Sequence, residues 1–345
     1  MSDPIISRLS VLDQSTASQG RTQDSAIRET LALARHCEAL GYHRYWVSEH
    51  HNSGNIVGTA PEVLMAAIGA TTSRIRIGSA GVMLPHYSAF KVAEQFRVLE
   101  AIAPGRVDLG VGRAPGSDQL TSHALNPHPQ DVHDQFPRQI QELQCWISGA
   151  PLPQDHPFKR VIAHPTGPTY PQMWILGSSD YGAQLAAYLG MPYAFAYFFS
   201  YGFDVDQALA LYRKNYRPSE NHPKPQATIC VWALAADTEA EALYQFKSRE
   251  RALIERESGI RQPMVSPEEA AARTLSPAEQ QFSEKLRRTA VVGSIEQVKA
   301  RLDALAQRLD LDELVVVTWT YDLAPRMRSY ELLAQAYGLN THVAA

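Results

Sequence analysis

The most constraining feature of the sequence is the stretch 75–117, which has the pattern of a strand, a helix and a second strand. Apolar residues recur at helical spacing from Val92 to Ile102, and Pro104-Gly105 follows as a stop signal. Residues 107–111 then form a second apolar run. Two strands joined by a helix of this length make a parallel crossover unit, so the stretch predicts part of a parallel sheet.

The same alternation of strands and helices extends along the whole chain. Six further apolar runs have the length of strands, at residues 9–12, 45–47, 174–176, 193–196, 228–235 and 314–318. Eight strands alternating with helices, without a domain-like linker, predict an α/β fold in which residues 1–345 form a single (β/α)8 TIM barrel. A two-domain Rossmann arrangement is disfavoured because no G-x-G-x-x-G follows the first strand.

Two segments interrupt the regular spacing and are predicted to be excursions from the barrel. Residues 151–171 contain six prolines, which favours an ordered surface loop. Residues 258–290 are polar and carry three prolines, which makes them a candidate mobile lid before a predicted turn at 291–294.

Composition narrows the location and the partners. A formal net charge of -4, with 45% hydrophobic and 20% charged residues, gives no sign of a nucleic-acid or membrane partner. The first ten residues do not resemble a signal peptide, and no apolar run reaches the ~18–20 residues that cross a bilayer. The three cysteines are far apart, and Cys37 lies on the apolar face of a predicted helix as a reduced core thiol. We therefore expect a cytoplasmic protein.

Two strand ends have the composition of a phosphate site. Gly112-Arg113 follows the fourth strand, and Gly177-Ser178-Ser179 lies between the fifth strand and its helix. A helix N-terminus offers free N–H groups, and the fork of an arginine suits phosphate geometry. The alternative is that a serine only caps the helix and that Arg113 forms an ion pair at the barrel rim.

The second strand ends in Glu49-His50-His51, which is the strongest candidate for acid–base chemistry. Adjacent histidines at a strand end point to opposite faces, so the pair is a poor metal site. One histidine facing the pocket could act as a general acid or base, since its pKa lies near neutral pH. The alternative is that one histidine caps a turn and the other is solvated.

Aromatic residues follow the sixth strand and end the eighth. The run from Tyr193 to Tyr201 either lines an apolar pocket or fills the barrel core, and Trp319 faces the same choice.

Five motifs together resemble the bacterial-luciferase-like flavin monooxygenases, in the order and spacing of that family over nearly the whole chain. They are SEHH at 48–51, IRIGSAGVMLPHYSAFKVAEQF at 75–96, GRVDLGVGR at 105–113, ILGSS at 175–179 and VVGSIEQV at 291–298. Gly112 stands where the light-emitting subunit has a reactive cysteine, so light emission is not implied.

The resemblance implies an FMN-dependent monooxygenase with the flavin at the C-terminal mouth of the barrel. Reduced FMN is supplied by a separate NAD(P)H-dependent flavin reductase and reacts with oxygen to give a peroxyflavin. This oxygenates a small organic substrate, such as an aldehyde, while the protein excludes water. The resemblance further implies a homodimer.

Site residues carry over position by position. The phosphate-binding arginine corresponds to Arg113, and the phosphate-binding serine to Ser178 or Ser179, beside Gly177. The catalytic histidine corresponds to His50, with Glu49 beside the flavin. The segment under the isoalloxazine corresponds to Ser79, Ala80 and Gly81, with a cis peptide between Ala80 and Gly81.

Three other functions fit the sequence less well. A deazaflavin-dependent oxidoreductase and a non-catalytic flavin-binding protein would use the same scaffold. A metal-dependent barrel hydrolase is the most distant alternative.

Overall fold

Eight parallel strands form a closed barrel in the structure, a computed structural model that describes residues 6–127, 132–200 and 204–339. Nine strands are described, of which all but β8 belong to the barrel: β1 (Arg8–Asp13), β2 (Arg44–Val47), β3 (Arg76–Met83), β4 (Val107–Gly112), β5 (Gln172–Gly177), β6 (Tyr193–Phe195), β7 (Ala227–Ala236), β8 (Val291–Ser294) and β9 (Glu313–Val317). Strands β1 to β7 follow one another around the barrel, and β9 closes it by pairing with both β7 and β1. The predicted (β/α)8 TIM barrel is confirmed.

Helices surround the barrel. They are α1 (Gln23–Ala39), α2 (Pro61–Thr71), α3 (Ala89–Ile102), α4 (Gln119–Leu125), α5 (Val132–Ser148), α6 (Asp180–Leu189), α7 (Tyr197–Ser200), α8 (Val205–Asn215), α9 (Glu239–Glu257), α10 (Pro267–Ala272), α11 (Pro277–Thr289), α12 (Ile295–Leu309) and α13 (Leu323–Ala336). Local sequence sets several of their ends. Ser88 caps α3 by accepting a hydrogen bond from the Lys91 backbone N–H, and α6 ends at Gly190, whose φ of 62° favours glycine.

Apolar side chains pack in two layers, one between the barrel and its helices and one inside the barrel. The inner layer is rich in large side chains, including Trp46, Trp174 and Trp232. The barrel interior is therefore a packed core, as in other barrels of this size.

A buried ionic network fills the end of the barrel where the strands begin. The Arg44 guanidinium donates to Asp108 at 2.7 Å and to Glu313 at 2.8 Å, and all three side chains are almost fully buried. Arg76 and the Trp46 indole also donate to Asp108. This end is sealed by charge pairing, which leaves the opposite end for the site.

Several local predictions need correction. Residues 291–294 are strand β8, which pairs in parallel with the last residues of β7 outside the barrel, and not a turn. Residues 258–290 contain α10 and α11, because a proline at the start of a helix is favourable and Ser276 with Glu279 forms a capping box. The short helices α4 and α7 were also not predicted. Residues 151–171 contain no helix or strand in the structure as described.

Two further observations concern the membrane-crossing potential of the helices and the burial of the cysteines. Within the described ranges, no helix combines the length and apolar character that crossing a membrane requires. Cys37 is a buried free thiol, as predicted for a core residue, and Cys230 is buried on the inner side of β7.

Candidate active site

A cavity of about 240 Å³ lies at the C-terminal ends of the strands, and we call it the main cavity. Eight of the nine predicted site residues line it: Glu49, His50, Ala80, Gly81, Arg113, Gly177, Ser178 and Ser179. The ninth, Ser79, is fully buried, and its hydroxyl donates to the Gly110 carbonyl at 2.9 Å. Its side chain therefore joins β3 to β4 and is not available to a ligand.

The floor of the main cavity is made of small residues on β3. The peptide bond between Ala80 and Gly81 is cis, as the resemblance implies, and the pairing of β3 with β4 shifts register there. A Cβ atom at Gly81 would lie 2.4 Å from Leu176 Cδ1 and 2.8 Å from the Gly110 carbonyl oxygen. Glycine is thus required for the close approach of the two strands and of the β5 side chain.

One corner of the main cavity has unused hydrogen-bond donors. Helix α6 begins after Ser179, whose hydroxyl makes no capping hydrogen bond. The Arg113 guanidinium lies 3.9 Å from the centre of the Tyr181 ring and forms no ion pair within the described residues. Neither the helix cap nor the rim ion pair considered above is present there. The corner combines a cation, two exposed hydroxyls and a helix N-terminus, which suits an anion.

His50 faces the main cavity and is held by a chain of hydrogen bonds. The Trp319 indole donates to Gln14 Oε1 at 3.0 Å, and Gln14 Nε2 lies 3.4 Å from His50 Nε2. Because an indole N–H can only donate, the Gln14 oxygen must face Trp319 and its amide nitrogen must donate to the histidine. The neutral ring then carries its proton on Nδ1, and the ring also hydrogen-bonds to the backbone of Gly116.

Burial favours the uncharged form of His50. The loss of solvent lowers the pKa of His50, and the neighbouring charge of Arg261 lowers it further, against opposing contributions from Gly116 and Glu49. The imidazole is therefore neutral at neutral pH, with Nε2 as the atom that can accept a proton.

Glu49 is fully engaged in supporting the site. Its Oε1 accepts from the Tyr87 hydroxyl at 2.6 Å and from His51 Nε2 at 2.8 Å, and its Oε2 accepts from the Met83 backbone N–H at 3.0 Å. The hydrogen bond to its carboxylate contributes, after burial, to a raised pKa of Tyr87. Glu49 thus ties the ends of β2 and β3 together, and His51, which hydrogen-bonds to it, does not line the cavity.

A second chamber of about 230 Å³ adjoins the main cavity. The two share Gln14, His50, Phe198 and Phe199 as lining residues. The second chamber is otherwise lined by Trp319 and by residues of β7, of α9, of the loops after β2 and β4, and by Arg261 after α9. Tyr193 and Phe195 are buried core residues, so the predicted aromatic run divides between core and pocket, and Tyr201 lies outside the described residues.

Sequence reasoning missed Gln14, Tyr181 and the α9 face of the second chamber. Gln14 follows the first strand within a polar Asp-Gln-Ser triplet, which was the available signal. Among the residues that the structure describes, no group of three or more His, Cys, Asp or Glu side chains is arranged to hold a metal ion.

Comparison with known proteins assigns the family. The profile of the luciferase-like monooxygenase family matches residues 7–312 of this chain. The chain therefore belongs to the luciferase-like monooxygenases, as its motifs indicated, and is an oxidoreductase that incorporates oxygen into its substrate.

Three similar proteins match over nearly their whole length. A luciferase-like monooxygenase of Escherichia coli (strain K12) is 39% identical over 96% of this chain and 97% of its own. The N-acetyl-S-alkylcysteine monooxygenase of Bacillus subtilis (strain 168) is 36% identical over 95% of this chain and 98% of its own. The crystal structure of apo-MsnO8 superposes with a TM-score of 0.87 at 33% identity, covering 97% of this chain and 98% of that one.

Proposed function

We propose that this protein is an FMN-dependent monooxygenase that receives reduced FMN from a separate NAD(P)H-dependent flavin reductase. The observation that carries the proposal is the corner formed by Arg113, Ser178 and Ser179 at the start of α6. This corner offers an unpaired cation and free N–H groups to a phosphate, and it opens onto an apolar cavity that leads to His50.

The residues present fit a flavin mononucleotide. Arg113 and the two serines would hold the phosphate, and the floor of Ala80 and Gly81 offers close backbone approach to a flat ring. When bound, reduced FMN supplies the two electrons by which one atom of O2 enters the substrate and the other leaves as water. The protein contributes binding, orientation and the exclusion of water by the aromatic side chains Phe198 and Phe199.

His50 is the group that can move a proton beside the substrate. Its basic atom at neutral pH is Nε2, which must release the long 3.4 Å hydrogen bond from Gln14 to take a proton from the substrate, and Gln14 and the backbone of Gly116 fix the plane of the ring. Glu49 acts as a positioning residue, because both of its oxygens are occupied by protein donors.

The substrate proposed on this basis is a small organic molecule, with aldehydes as the first class to test. The name of the Bacillus subtilis relative makes N-acetyl-S-alkylcysteines the second class. We also propose a cytoplasmic homodimer. Exposed apolar side chains on the neighbouring helices α2 and α3, namely Val63, Val98 and Ile102, support a contact with a second copy.

Oxygen uptake tests the proposed reaction. Reduced FMN from an added NADH-dependent flavin reductase should support substrate-dependent oxygen uptake, and 18O2 should label the product with one atom. The same assay is run with a reduced deazaflavin and without substrate. If substrate is converted with the reduced deazaflavin but not with reduced FMN, and without consuming oxygen, the protein is a deazaflavin-dependent oxidoreductase. Tight FMN binding without turnover on any substrate class would favour a non-catalytic flavin-binding protein.

A further inference from the structure

The second chamber differs from the main cavity in its charge. Its wall contains three arginines, Arg249, Arg256 and Arg261, and no aspartate or glutamate among the described lining residues. The rest of the wall is aromatic, aliphatic or neutral polar. A chamber with cations and apolar surface is complementary to an organic anion, and it opens on His50, where the chemistry is proposed.

Arg249 is the central cation of this wall. Its side chain is only 5% exposed, and its guanidinium carbon lies 4.0 Å from the centre of the Trp232 ring and 5.8 Å from that of Trp319. The two indoles hold the guanidinium plane by cation–π contact, so little conformational freedom is left to lose on binding a ligand. Arg249 thus presents a positive charge in a fixed position at the wall of the chamber.

The two carboxylates in the middle and last turns of α9, Glu250 and Glu255, are engaged by side chains outside the chamber lining. Glu250 accepts from Arg287 and Ser283 of α11, and Glu255 accepts from Arg251 and Gln262. Arg249 and Arg256 lie seven residues apart on one face of α9, with Leu253 between them. Two of the four cations of α9 therefore line the second chamber, whereas Glu250 and Glu255 hydrogen-bond to side chains outside its lining.

Arg256 and Arg261 add further positive charge near the rim. Arg256 is half-buried and Arg261 is exposed, and neither forms an ion pair with any side chain in the described ranges. The charge of Arg261 reaches His50, whose pKa it helps to lower. Positive potential thus extends from the chamber rim to the proposed reaction centre.

We propose that the second chamber binds the negatively charged end of the substrate, and that the substrate is a small carboxylate with an apolar body. That the bound anion is a substrate rests on the proposed function. Binding of the anion itself does not, since the chamber would bind it without a flavin. The carboxylate is held by Arg249, with Arg256 and Arg261 at the rim, and the apolar body lies along Phe198 and Phe199. The group to be oxygenated is then directed past His50 into the main cavity.

Isothermal titration with octanoate tests the proposal directly, with octanamide as the neutral probe of nearly equal size. Wild-type protein should bind octanoate more tightly than octanamide. Arg249→Met preserves packing on the indoles and should weaken octanoate by about 10- to 100-fold, the usual effect of losing one charge-assisted hydrogen bond. Octanamide affinity should not change. Octane-1-sulfonate is titrated as well, and tighter binding of the sulfonate than of octanoate would overturn the assignment to carboxylates.

Three further variants keep the test decisive. The side chain of Arg261 is exposed, so Arg261→Gln does not disturb the core. This variant should lower the affinity for octanoate several-fold, and it remains informative even if Arg249→Met folds poorly. Lys247→Gln removes one positive charge from the same helix outside the chamber and should change nothing. Arg113→Ala should leave octanoate binding intact, since that residue belongs to the main cavity. Loss of octanoate binding in Arg113→Ala would overturn the proposal. Unchanged octanoate affinity in Arg261→Gln would overturn it as well.

FMN affinity, measured separately by fluorescence quenching, distinguishes this proposal from the proposed function. Arg249→Met should bind FMN as the wild type does. Parallel loss of FMN and octanoate in Arg249→Met would assign the arginine to the cofactor and overturn the inference. Failure of the wild type to bind FMN while it binds octanoate would overturn the proposed function alone.

Discussion

At the scale of single residues, Arg113 has a side chain whose charge is not met by any carboxylate in the described structure, although it stacks on Tyr181. Such an arginine either binds an anionic ligand or stabilises the fold by stacking. A charge-assisted hydrogen bond to phosphate contributes roughly 1.5–3 kcal/mol, which is about a 10- to 150-fold change in affinity.

We expect Arg113→Ala to weaken FMN binding by that factor and to leave riboflavin, which lacks the phosphate, nearly unaffected. Arg113→Lys should recover only part of the loss, because a point charge replaces a bidentate fork. Both flavins are titrated against each variant by fluorescence quenching. If Arg113→Ala loses affinity for FMN and riboflavin equally, the residue acts through stacking and the phosphate site lies elsewhere.

We expect His50→Ala to bind FMN nearly as well as the wild type and to turn over at least tenfold more slowly. The reason is the position of Nε2 in the main cavity and the ~10²–10⁴-fold contribution of a positioned acid or base. Oxygen uptake with reduced FMN and flavin titration give the two readouts. Undiminished turnover would remove His50 from the mechanism.

The hydrogen bond from Gln14 predicts a dependence on pH. A donor to His50 Nε2 stabilises the neutral ring, and burial already lowers its pKa. Activity that needs the neutral ring should therefore persist below the ordinary pKa of histidine and decline as His50 becomes protonated.

Gln14→Glu supplies an acceptor for a protonated Nε2, so it should raise the pKa of His50 and move the acidic limb of the kcat/KM profile to higher pH. Gln14→Met is the matched control without that acceptor. Identical acidic limbs in all three proteins would show that Gln14 does not act through His50.

The sequence predicted the residues at strand ends better than it predicted their partners. Strand alternation and the family motifs pointed to His50 and Arg113, because each directly follows a recognisable strand. The hydrogen bond between the side chains of Trp319 and Gln14 joins residues that are 305 positions apart in the sequence. Only closure of the barrel by β9 brings them together. The buried hydroxyl of Ser79 likewise depends on the cross-strand position of Gly110.

At the scale of elements, residues 258–290 combine an end that is hydrogen-bonded to the barrel loops with an exposed link between helices α10 and α11. Backbone hydrogen bonds from Met264 to Ala17 and from Gln19 to Met264 fix one end against the loop after β1. The link between α10 and α11 is exposed and carries Arg273, whose ion pair with Glu279 is also partly exposed. A lid of this construction would move as the α10–α11 pair while residue 264 stays in place.

We expect trypsin to cut this link at Arg273 in the free protein and to cut more slowly when reduced FMN or substrate is bound. The expectation follows from exposure of the link and from its position beside the wall of the second chamber. Cleavage at Lys159 and Arg160, both exposed in the 151–171 excursion, provides an internal control that ligand should not affect. Equal protection of both segments, or of neither, would contradict a ligand-dependent lid.

The elements that sequence analysis misjudged are short and depend on the ends of other elements. Residues 291–294 have too few apolar positions to distinguish a strand from a turn, and their pairing partner, β7, is more than fifty residues earlier. Helices α10 and α11 begin at prolines, which were weighed only as breakers. Helix α3 was predicted because the helical spacing of its apolar residues needs no tertiary context.

At the scale of the whole molecule, the buried network of Arg44, Asp108 and Glu313 connects three strands at the closed end of the barrel. Burial acts to raise the pKa of Asp108, but the guanidinium groups of Arg44 and Arg76 outweigh it and hold that pKa below its usual value. A carboxyl group with a lowered pKa stabilises the fold above its unfolded pKa, and this contribution is lost as pH falls through the folded value.

We expect Arg44→Met to lower the free energy of unfolding by about 3–5 kcal/mol at neutral pH, since it leaves two buried carboxylates without their shared partner. Arg8→Gln removes the exposed pair with Asp312 and should cost less than about 1 kcal/mol. Urea denaturation at neutral and acidic pH measures both. The difference between Arg44→Met and wild type should shrink as pH falls, and a difference that grows would assign the network another role.

The pairing of β8 with the end of β7 has a consequence for how this protein could have diversified. Ala236 lies opposite Ser294 in neighbouring strands, so the chain leaves the end of β7 and returns beside it at a point only about 5 Å away. All three arginines of the second chamber belong to the segment between those points, whereas Arg113, Ser178 and His50 belong to the barrel loops. A segment with adjoining ends can be exchanged as a cassette without opening the barrel. Under the two proposals made above, the anion-binding arginines and the cofactor site belong to separately inheritable parts of one chain, and we expect that transplanting residues 237–293 between relatives transfers the arginines while leaving the cofactor site in place.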